Sequence, residues 1–464
     1  MKTRGVVAAL VLLACPGFSA AASFFRPLGD LDPQLPGTIV RGVSNGGAVV
    51  VGSCVVNGPV IALPFACRWT EATGWQALTE GDANAVSVDG AVIVGNAGVL
   101  GGTSDAFRWT QSNGVVKIVD PGRYSFAYDV SADGSVVAGT VFEPFPEQAF
   151  RWTAATGAVP IGPVGAEELG ISADGSVIVG DGPTFAFRWT EASGMVSLPG
   201  LPGSVGSSGR DVSPDGLVSV GASFELLLPF YYNQRPVRWS ATGIVEALEL
   251  LPGMAAGFAN AVAAGSVIVG SQAVDPRALG DIAFLWDPIH RSRSLQAVLE
   301  QEHGLDLTGW TLTDAGAISP DGRAIVGSGV NPTGKPEVWL AVLECSDPVD
   351  SDGDGVGDAC DDCSHTPNTD QKDTGGVGAG SPADGIGNAC QCGDVTGDGQ
   401  VTIADSVVIS RSLLAPPTAT QAHPELCDVD GDGQCTAADA VALRRALLQP
   451  PTAAIQQLCG PAKP

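Results

Sequence analysis

Ser87–Gly95 reads SVDGAVIVG, and the phrase returns along the chain. It is SNGGAVVVG at Ser44–Gly52, SADGSVVAG at Ser131–Gly139, SADGSVIVG at Ser172–Gly180 and SPDGLVSVG at Ser213–Gly221. A degenerate copy, AAGSVIVG, stands at Ala263–Gly270, and SPDGRAIVG closes the series at Ser319–Gly327. Each copy is followed by a second phrase built on a tryptophan: Trp69, Trp109, Trp152, Trp189, Trp239, Trp286 and Trp339. The repeat length is roughly 43 residues, the range of propeller blades. Asp-Gly between two apolar runs is a hairpin signal, because Gly accepts the positive φ that the turn needs. Thr-x-x-x-Gly after the Trp of the second copy marks a second hairpin. In the second copy the expected strands are Asn84–Val88, Ala91–Asn96, Ala106–Thr110 and Val115–Val119. Seven units of four strands predict a mainly β chain with a seven-bladed β-propeller. The seventh unit ends at Leu343 without a fourth strand. Phe24–Gly29 resembles the fourth-strand phrase Val196–Gly200, so the N-terminal strand is expected to complete the last blade and remove an open edge.

Composition agrees and excludes several classes. With 62 Gly and 33 Pro in 464 residues the chain is no helical bundle. The net charge of −27 argues against nucleic-acid binding, which needs basic surface. The four His (His290, His303, His365, His423) are scattered, which disfavours a zinc hydrolase or a His-based triad. No internal apolar run is as long as a membrane span. The repeat aspartates Asp89, Asp133, Asp174, Asp215 and Asp321 occupy equivalent turns and read as blade-forming, so no catalytic residue is assigned. The longest insertions, Phe224–Arg235 and Arg277–Gly309, read as a binding lip or as decorated loops.

The Ser-x-Asp-Gly, Val-Gly and Phe-Arg-Trp-Thr phrases resemble the HAF family of bacterial extracellular repeats over Phe24 to Glu344. That resemblance implies an exported β protein and no established chemistry.

Export has its own signs. Lys2 and Arg4, the apolar stretch Val6–Ala14 and the small residues Ala20–Ala22 form a secretory signal over residues 1–22. Leu12–Cys15 also resembles a lipoprotein box, in which Cys15 would carry the lipid. Eleven cysteines leave an even ten without Cys15, which suits an oxidising compartment. Cys54 and Cys67 are expected to pair within one loop.

Beyond Cys345 the chain changes character. Eighteen Asp or Glu stand against five Lys or Arg there, and all nine Trp lie before it. Asp350, Asp352, Asp354 and Asp358 alternate through a Gly-rich turn that ends at Cys360. Alternating carboxylates in a turn converge on a hard cation, and without one they repel. The pattern resembles a thrombospondin type 3 repeat over residues 345–392. A Gly-rich insertion after Asp373 interrupts its second copy, which resumes at Asp384–Cys390. Two loops follow, Asp394–Asp405 and Asp428–Asp439. They place oxygen ligands as an EF-hand loop does: Asp394, Thr396, Asp398, Gln400 and Asp405 in the first, and Asp428, Asp430, Asp432, Gln434 and Asp439 in the second. Helices are expected at Ser406–Leu414 and Ala440–Leu448.

Duplicated loop-helix units with Asp at loop position 12 resemble a dockerin domain, here over residues 393–460. That resemblance implies bound calcium and a cohesin-type receptor or another cell-surface component as partner. Loop positions 10 and 11 are Ile403-Ala404 and Ala437-Ala438, where dockerins often carry hydroxyls. Arg411, Arg444 and Arg445 fit the basic helix positions. Cys427, Cys435, Cys392 and Cys459 are expected to staple this small domain.

The combined expectation is a secreted or surface-attached calcium-binding protein. Its propeller at 23–344 would be a non-catalytic binding or scaffold module, carbohydrate being one ligand class, and its tail would dock. The alternative is a dockerin-borne, polysaccharide-degrading propeller enzyme. Two or three channel-facing carboxylates outside the repeat phrase would favour that alternative.

Overall fold

The computed structural model describes residues 23–343, Thr366 and residues 389–447, apart from loops at 33–36, 58–61, 99–103, 121–122, 143–146, 164–168, 229–230, 276–280, 398–399, 415–416 and 430–433. The signal segment and most of the thrombospondin-like stretch, with Asp350, Asp352, Asp354 and Asp358, lie outside the described residues.

Each repeat is one antiparallel four-stranded sheet, and seven such sheets form the blades of a β-propeller. The second blade consists of the latter half of Gly74–Val86, then Val92–Ala97, Asp105–Thr110 and Gly114–Lys117. Gly74–Val86 is shared: it ends the first blade and begins the second. The ring closes as expected. Phe24–Pro27 pairs antiparallel with Pro336–Val342, from Phe24 opposite Val342 to Pro27 opposite Trp339. The inner strands touch their neighbours around the whole circle.

The propeller has no central core. Its buried side chains form seven separate clusters, one wedge between each pair of adjacent blades. Trp239, Trp286 and Trp339 are wholly buried in three of them. The recurrent Arg joins blades as well. Arg108 Nε donates to the Gly134 carbonyl (3.1 Å) and Arg151 Nε to the Gly175 carbonyl (3.0 Å) in the next turn. Arg238 lies over the Trp286 ring at 4.5 Å.

The repeat phrase has a local explanation. Ser131 Oγ donates to Asp133 (2.7 Å) and accepts from Val136 N–H (2.9 Å), while Asp133 accepts from Ser135 N–H (2.9 Å). Gly134 takes φ 72°, and a Cβ there would meet Val92 of the preceding blade at 2.4 Å. The Gly that ends the phrase is equally constrained. At Gly139 a Cβ would lie 2.2 Å from the Phe126 carbonyl, because the inner strand bulges beside it.

One expectation is corrected. Cys54 and Cys67 are free, buried thiols in the adjacent strands Val50–Asn57 and Ala62–Thr70, not partners across a loop. Cys54 stands opposite Phe65 and Cys67 opposite Gly52, so the two are offset along the ladder. They help fill the wedge between the last and first blades. The hydrogen bond to Cys67, with burial, pushes the Cys54 thiol up.

Helix α1 (Leu295–Gln301) lies in the sixth-to-seventh blade connection. The C-terminal module contains α2 (Ile403–Ser412) and α3 (Ala437–Ala446) around a small cluster that includes Val395, Val401, Ile409, Val429 and Leu443. Both helices start three residues before the expected positions. Thr402 and Thr436 cap them in reciprocal capping boxes with Asp405 and Asp439, which draws the ends of both loops into the helices. Cys427 and Cys435 form a disulfide with each other.

Candidate functional site

Two places gather functional groups: the paired loops of the C-terminal module and the propeller channel.

In the first loop Thr396 links the two ends. Its hydroxyl lies 3.3 Å from Asp394 Oδ1 and 2.8 Å from Asp405 Oδ1, and its N–H donates to Asp405 Oδ1 (3.0 Å). Asp394 also accepts from Gly397 N–H at 2.7 Å. Asp405 Oδ2 accepts from Thr402 N–H at 2.8 Å. The second loop repeats the helix-end contact, Asp439 Oδ2 accepting from Thr436 N–H (2.7 Å), while Asp439 Oδ1 accepts from Val429 N–H (3.0 Å), one loop position earlier than Thr396 in the first. Asp394, Asp405 and Asp439 are fully buried. Burying carboxylates this densely is costly unless a cation compensates, and an all-oxygen donor set suits calcium. The structure therefore brings Asp394, Thr396 and Asp405 together and places Asp428 and Asp439 at the two ends of the second loop. Gln400 and Gln434 lie at the described edges of the loops. Asp398, Asp430 and Asp432 fall outside the described residues. Among the described residues no three Asp, Glu, His or Cys side chains form a metal cluster by themselves.

The channel is a cavity of about 570 Å3 lined by the inner strands of all seven blades. At one end the residues following each repeat Ser interlock. Val88 N–H donates to the Ala132 carbonyl (3.1 Å), Ala132 to Ala173 (2.9 Å), Ala173 to Pro214 (2.9 Å) and Ala264 to Pro320 (3.0 Å). Four aspartates outside the repeat phrase line the wall: Asp82, Asp129, Asp211 and Asp314. Sequence reasoning missed them. The copies diverge two to five residues before the repeat Ser, but nothing local in that stretch marks a side chain that faces the channel.

The deeper pair acts as clamps. Asp129 accepts from Val130 N–H in its own blade and from Ile171 N–H in the next, both at 2.8 Å. Asp211 does the same with Val212 (2.7 Å) and Val262 (2.8 Å). Burial, then the charge of Asp211, pushes Asp129 up to about 8. Burial pushes Asp211 up to about 6. Nearer the other end Asp82 accepts from Ser53 Oγ and from Asn96 Nδ2 (3.2 Å), with Arg41 at 4.0 Å. Asp314 accepts from Asn260 Nδ2 at 2.9 Å, and burial raises its carboxyl.

The repeat aspartates are turn residues, as expected. Hydrogen bonds from Ser131 and Ser135 outweigh the burial that would raise Asp133 and hold it below the usual carboxylate range. The insertion Phe224–Arg235 extends a hairpin between Val218–Leu228 and Tyr231–Ser240. His290 is exposed beside Asp287, and His303 meets Ser23 Oγ at 3.4 Å; neither lines the channel.

Comparison with known proteins identifies one region. Residues 392–448 form a Dockerin type I domain. The match covers the paired loops with α2 and α3 and stops short of the propeller. The propeller is similar to solved structures at low identity. TolB from Acinetobacter baumannii is 18% identical at TM-score 0.32, over 48% of this chain and 61% of TolB, about three fifths of its length. An oligogalacturonate lyase from Vibrio parahaemolyticus is 14% identical at TM-score 0.43, over 69% of this chain and 97% of the lyase. An acylaminoacyl peptidase from Pyrococcus horikoshii is 8% identical at TM-score 0.43, over 66% and 51% of the two chains. No curated protein sequence matches significantly.

On the dockerin domain Ile403 is 58% exposed. The basic helix residues Arg411, Arg444 and Arg445 are all exposed. Arg444 also crosses to α2, donating to Ser406 Oγ and Ser410 Oγ at 3.0 Å each. No helix among the described residues is long and apolar enough to cross a membrane.

Proposed function

We propose that this chain is an exported, calcium-dependent docking protein that displays a propeller. Residues 1–22 are the secretory signal and 23–344 the propeller of HAF-type repeats. Residues 345–392 are a thrombospondin type 3-like calcium stalk, and 393–460 the dockerin module. The observation that carries this reading is the dockerin match over loops whose end residues converge around buried carboxylates. Asp394, Thr396, Asp398, Gln400 and Asp405 hold one calcium ion. Asp428, Asp430, Asp432, Gln434 and Asp439 hold a second. Asp350, Asp352, Asp354 and Asp358 ligate calcium in the stalk. The ions are structural: they neutralise the buried carboxylates and hold the loop ends against the capping boxes of α2 and α3.

The partner is a cohesin-type receptor on a cell surface or scaffold. Ile403, Leu413, Leu414 and Val441 leave apolar area on α2, its C-terminal end and α3, which suits a protein contact more than a solvated face. The propeller is a binding module and not an enzyme. Asp129 and Asp211 satisfy backbone donors with both oxygens, and Asp82 and Asp314 are engaged by neighbouring side chains, so no carboxylate stands ready as acid or base.

Surface plasmon resonance against an immobilised type I cohesin tests the docking. Capture in millimolar calcium and release by a chelator is the expected result. Binding indifferent to calcium, or none to any cohesin offered, would sink this reading.

A further inference from the structure

The repeats keep their phrase from Ser onward and abandon it just before. Three residues ahead of that Ser, or of Ala263 in the sixth copy, stand Arg41, Asn84, Tyr128, Leu169, Arg210, Asn260 and Gly316, each different from its neighbour and each on the channel wall. A purely structural ring has no reason to vary there, since the adjacent apolar positions remain Val or Ile. We infer that the mouth of the channel binds a neutral, ring-shaped polyol: a saccharide segment. The inference rests on reading the propeller as a binding module.

Charge is balanced at this level. Arg41 faces Asp82 at 4.0 Å. Asn260 bridges Asp314 and Arg210, donating at 2.9 Å and accepting at 3.5 Å. The carboxylates deeper in the channel spend their oxygens on backbone N–H groups. The mouth thus offers planar donors and acceptors without net charge, which suits hydroxyl groups better than an ion.

Flat apolar faces complete the site. Phe126 and Tyr128 stack at 5.9 Å and 16°, and both line the cavity. Tyr124 and Phe142 brace Phe126 edge-on at 5.1 and 5.4 Å. Arg210, itself on the wall, is held with its guanidinium 4.4 Å over Phe258, which lies outside the lining. Aromatic faces receive the C–H face of a pyranose, while amides and guanidinium groups take its hydroxyls. The cavity volume of about 570 Å3 lies in the range that holds small ligands.

The test uses the full chain in calcium. It is probed with neutral α- and β-linked hexose and pentose trisaccharides, with trigalacturonate and with spermidine. Calorimetry should show at least one neutral trisaccharide bound, with no release of reducing ends. Tyr128→Ala should weaken it about tenfold, and Arg210→Lys should weaken it too, because the plane is lost while the charge stays. Ile289→Ser, exposed and outside the channel lining, should leave it unchanged. Hydrogen exchange of the wild-type inner strand Ser125–Val130 should slow with ligand, which reads the site without any variant. No binding of the neutral trisaccharides, preference for trigalacturonate or spermidine, or binding without protection of that strand would each overturn the proposal. Cohesin capture by the same preparation separates the two readings: docking that survives while saccharide binding fails removes only the channel proposal.

Discussion

The propeller and the dockerin domain solve the same problem in opposite ways. Both are built by duplication, and both must hold short elements together. The propeller does it by number: seven apolar wedges, a belt of backbone hydrogen bonds and a strand exchange that leaves no loose end. The dockerin domain has two copies, one small cluster and a short-range disulfide. A domain that small buries too little surface to fold on packing alone. Load is spread in one region and concentrated in the other. The sharpest contrast comes from removing calcium. A chelator should abolish the helical signal of α2 and α3, read by circular dichroism or by amide resonances of the tail, while the propeller's unfolding transition stays where it was. A propeller that melted with the tail would break the comparison at once.

Within the propeller, the burden on single residues follows their place in the blade. Gly139→Ala puts a methyl 2.2 Å from the Phe126 carbonyl and 2.3 Å from the Phe150 ring. Backbone cannot yield cheaply there, so the cost should be about 3 kcal/mol, seen as a lower denaturant midpoint with an unchanged slope. A normal midpoint would mean that the bulged inner strand relaxes freely.

Acidity tests the clamps. Asp129 has a folded-state pKa near 8, above its value in the unfolded chain. Its contribution is therefore fully present below about pH 4 and is lost as pH rises through 8. Asp133 and Asp174 are shifted the other way, by Ser and backbone hydrogen bonds that outweigh burial, so their contribution fades as pH falls below about 4. Propeller stability should peak on the acid side of neutrality and decline toward pH 9. Asp129→Asn should flatten the alkaline decline at the cost of one N–H acceptor, about 1 kcal/mol. Denaturant titrations at pH 5, 7 and 9 decide it, and an unaltered alkaline slope in the variant would assign the decline elsewhere.

The frame of both regions was legible because repetition exposes what a turn or loop requires. Ser-x-Asp-Gly carries a turn with its own hydrogen bonds, and Phe24–Gly29 gave away the strand exchange by resembling a fourth strand. The helix starts were misjudged because Thr402-x-x-Asp405 is both a capping box and the end of a metal loop, and only the latter was read. The channel residues were harder. Asp82, Asp129, Asp211 and Asp314 lie on four different blades, and nothing local distinguishes a bulged inner-strand residue aimed at the channel from one aimed at the wedge. Four carboxylates face the channel, the count that favours the enzyme alternative, and two of them clamp backbone donors.

The smallest effect belongs to the most repeated residue. Asp133→Ala removes an acceptor from Ser131 Oγ and Ser135 N–H, yet the turn has other supports. The first and sixth units turn with no aspartate at all, by a different path: the Asp position is Gly46 at φ 62° and Gly265 at φ 65°, each followed by a second residue at positive φ, Gly47 and Ser266. The loss should be about 1 kcal/mol, a small part of what seven blades hold. Pairs of such substitutions sharpen the point. Asp133→Ala with Asp321→Ala touches blades that are not neighbours and should add. Asp133→Ala with Asp174→Ala touches turns joined by the Ala132–Ala173 hydrogen bond and should cost more or less than the sum. Additivity in both pairs, measured as denaturant midpoints, would make the belt of backbone hydrogen bonds a consequence of the ring and not one of the forces that holds it.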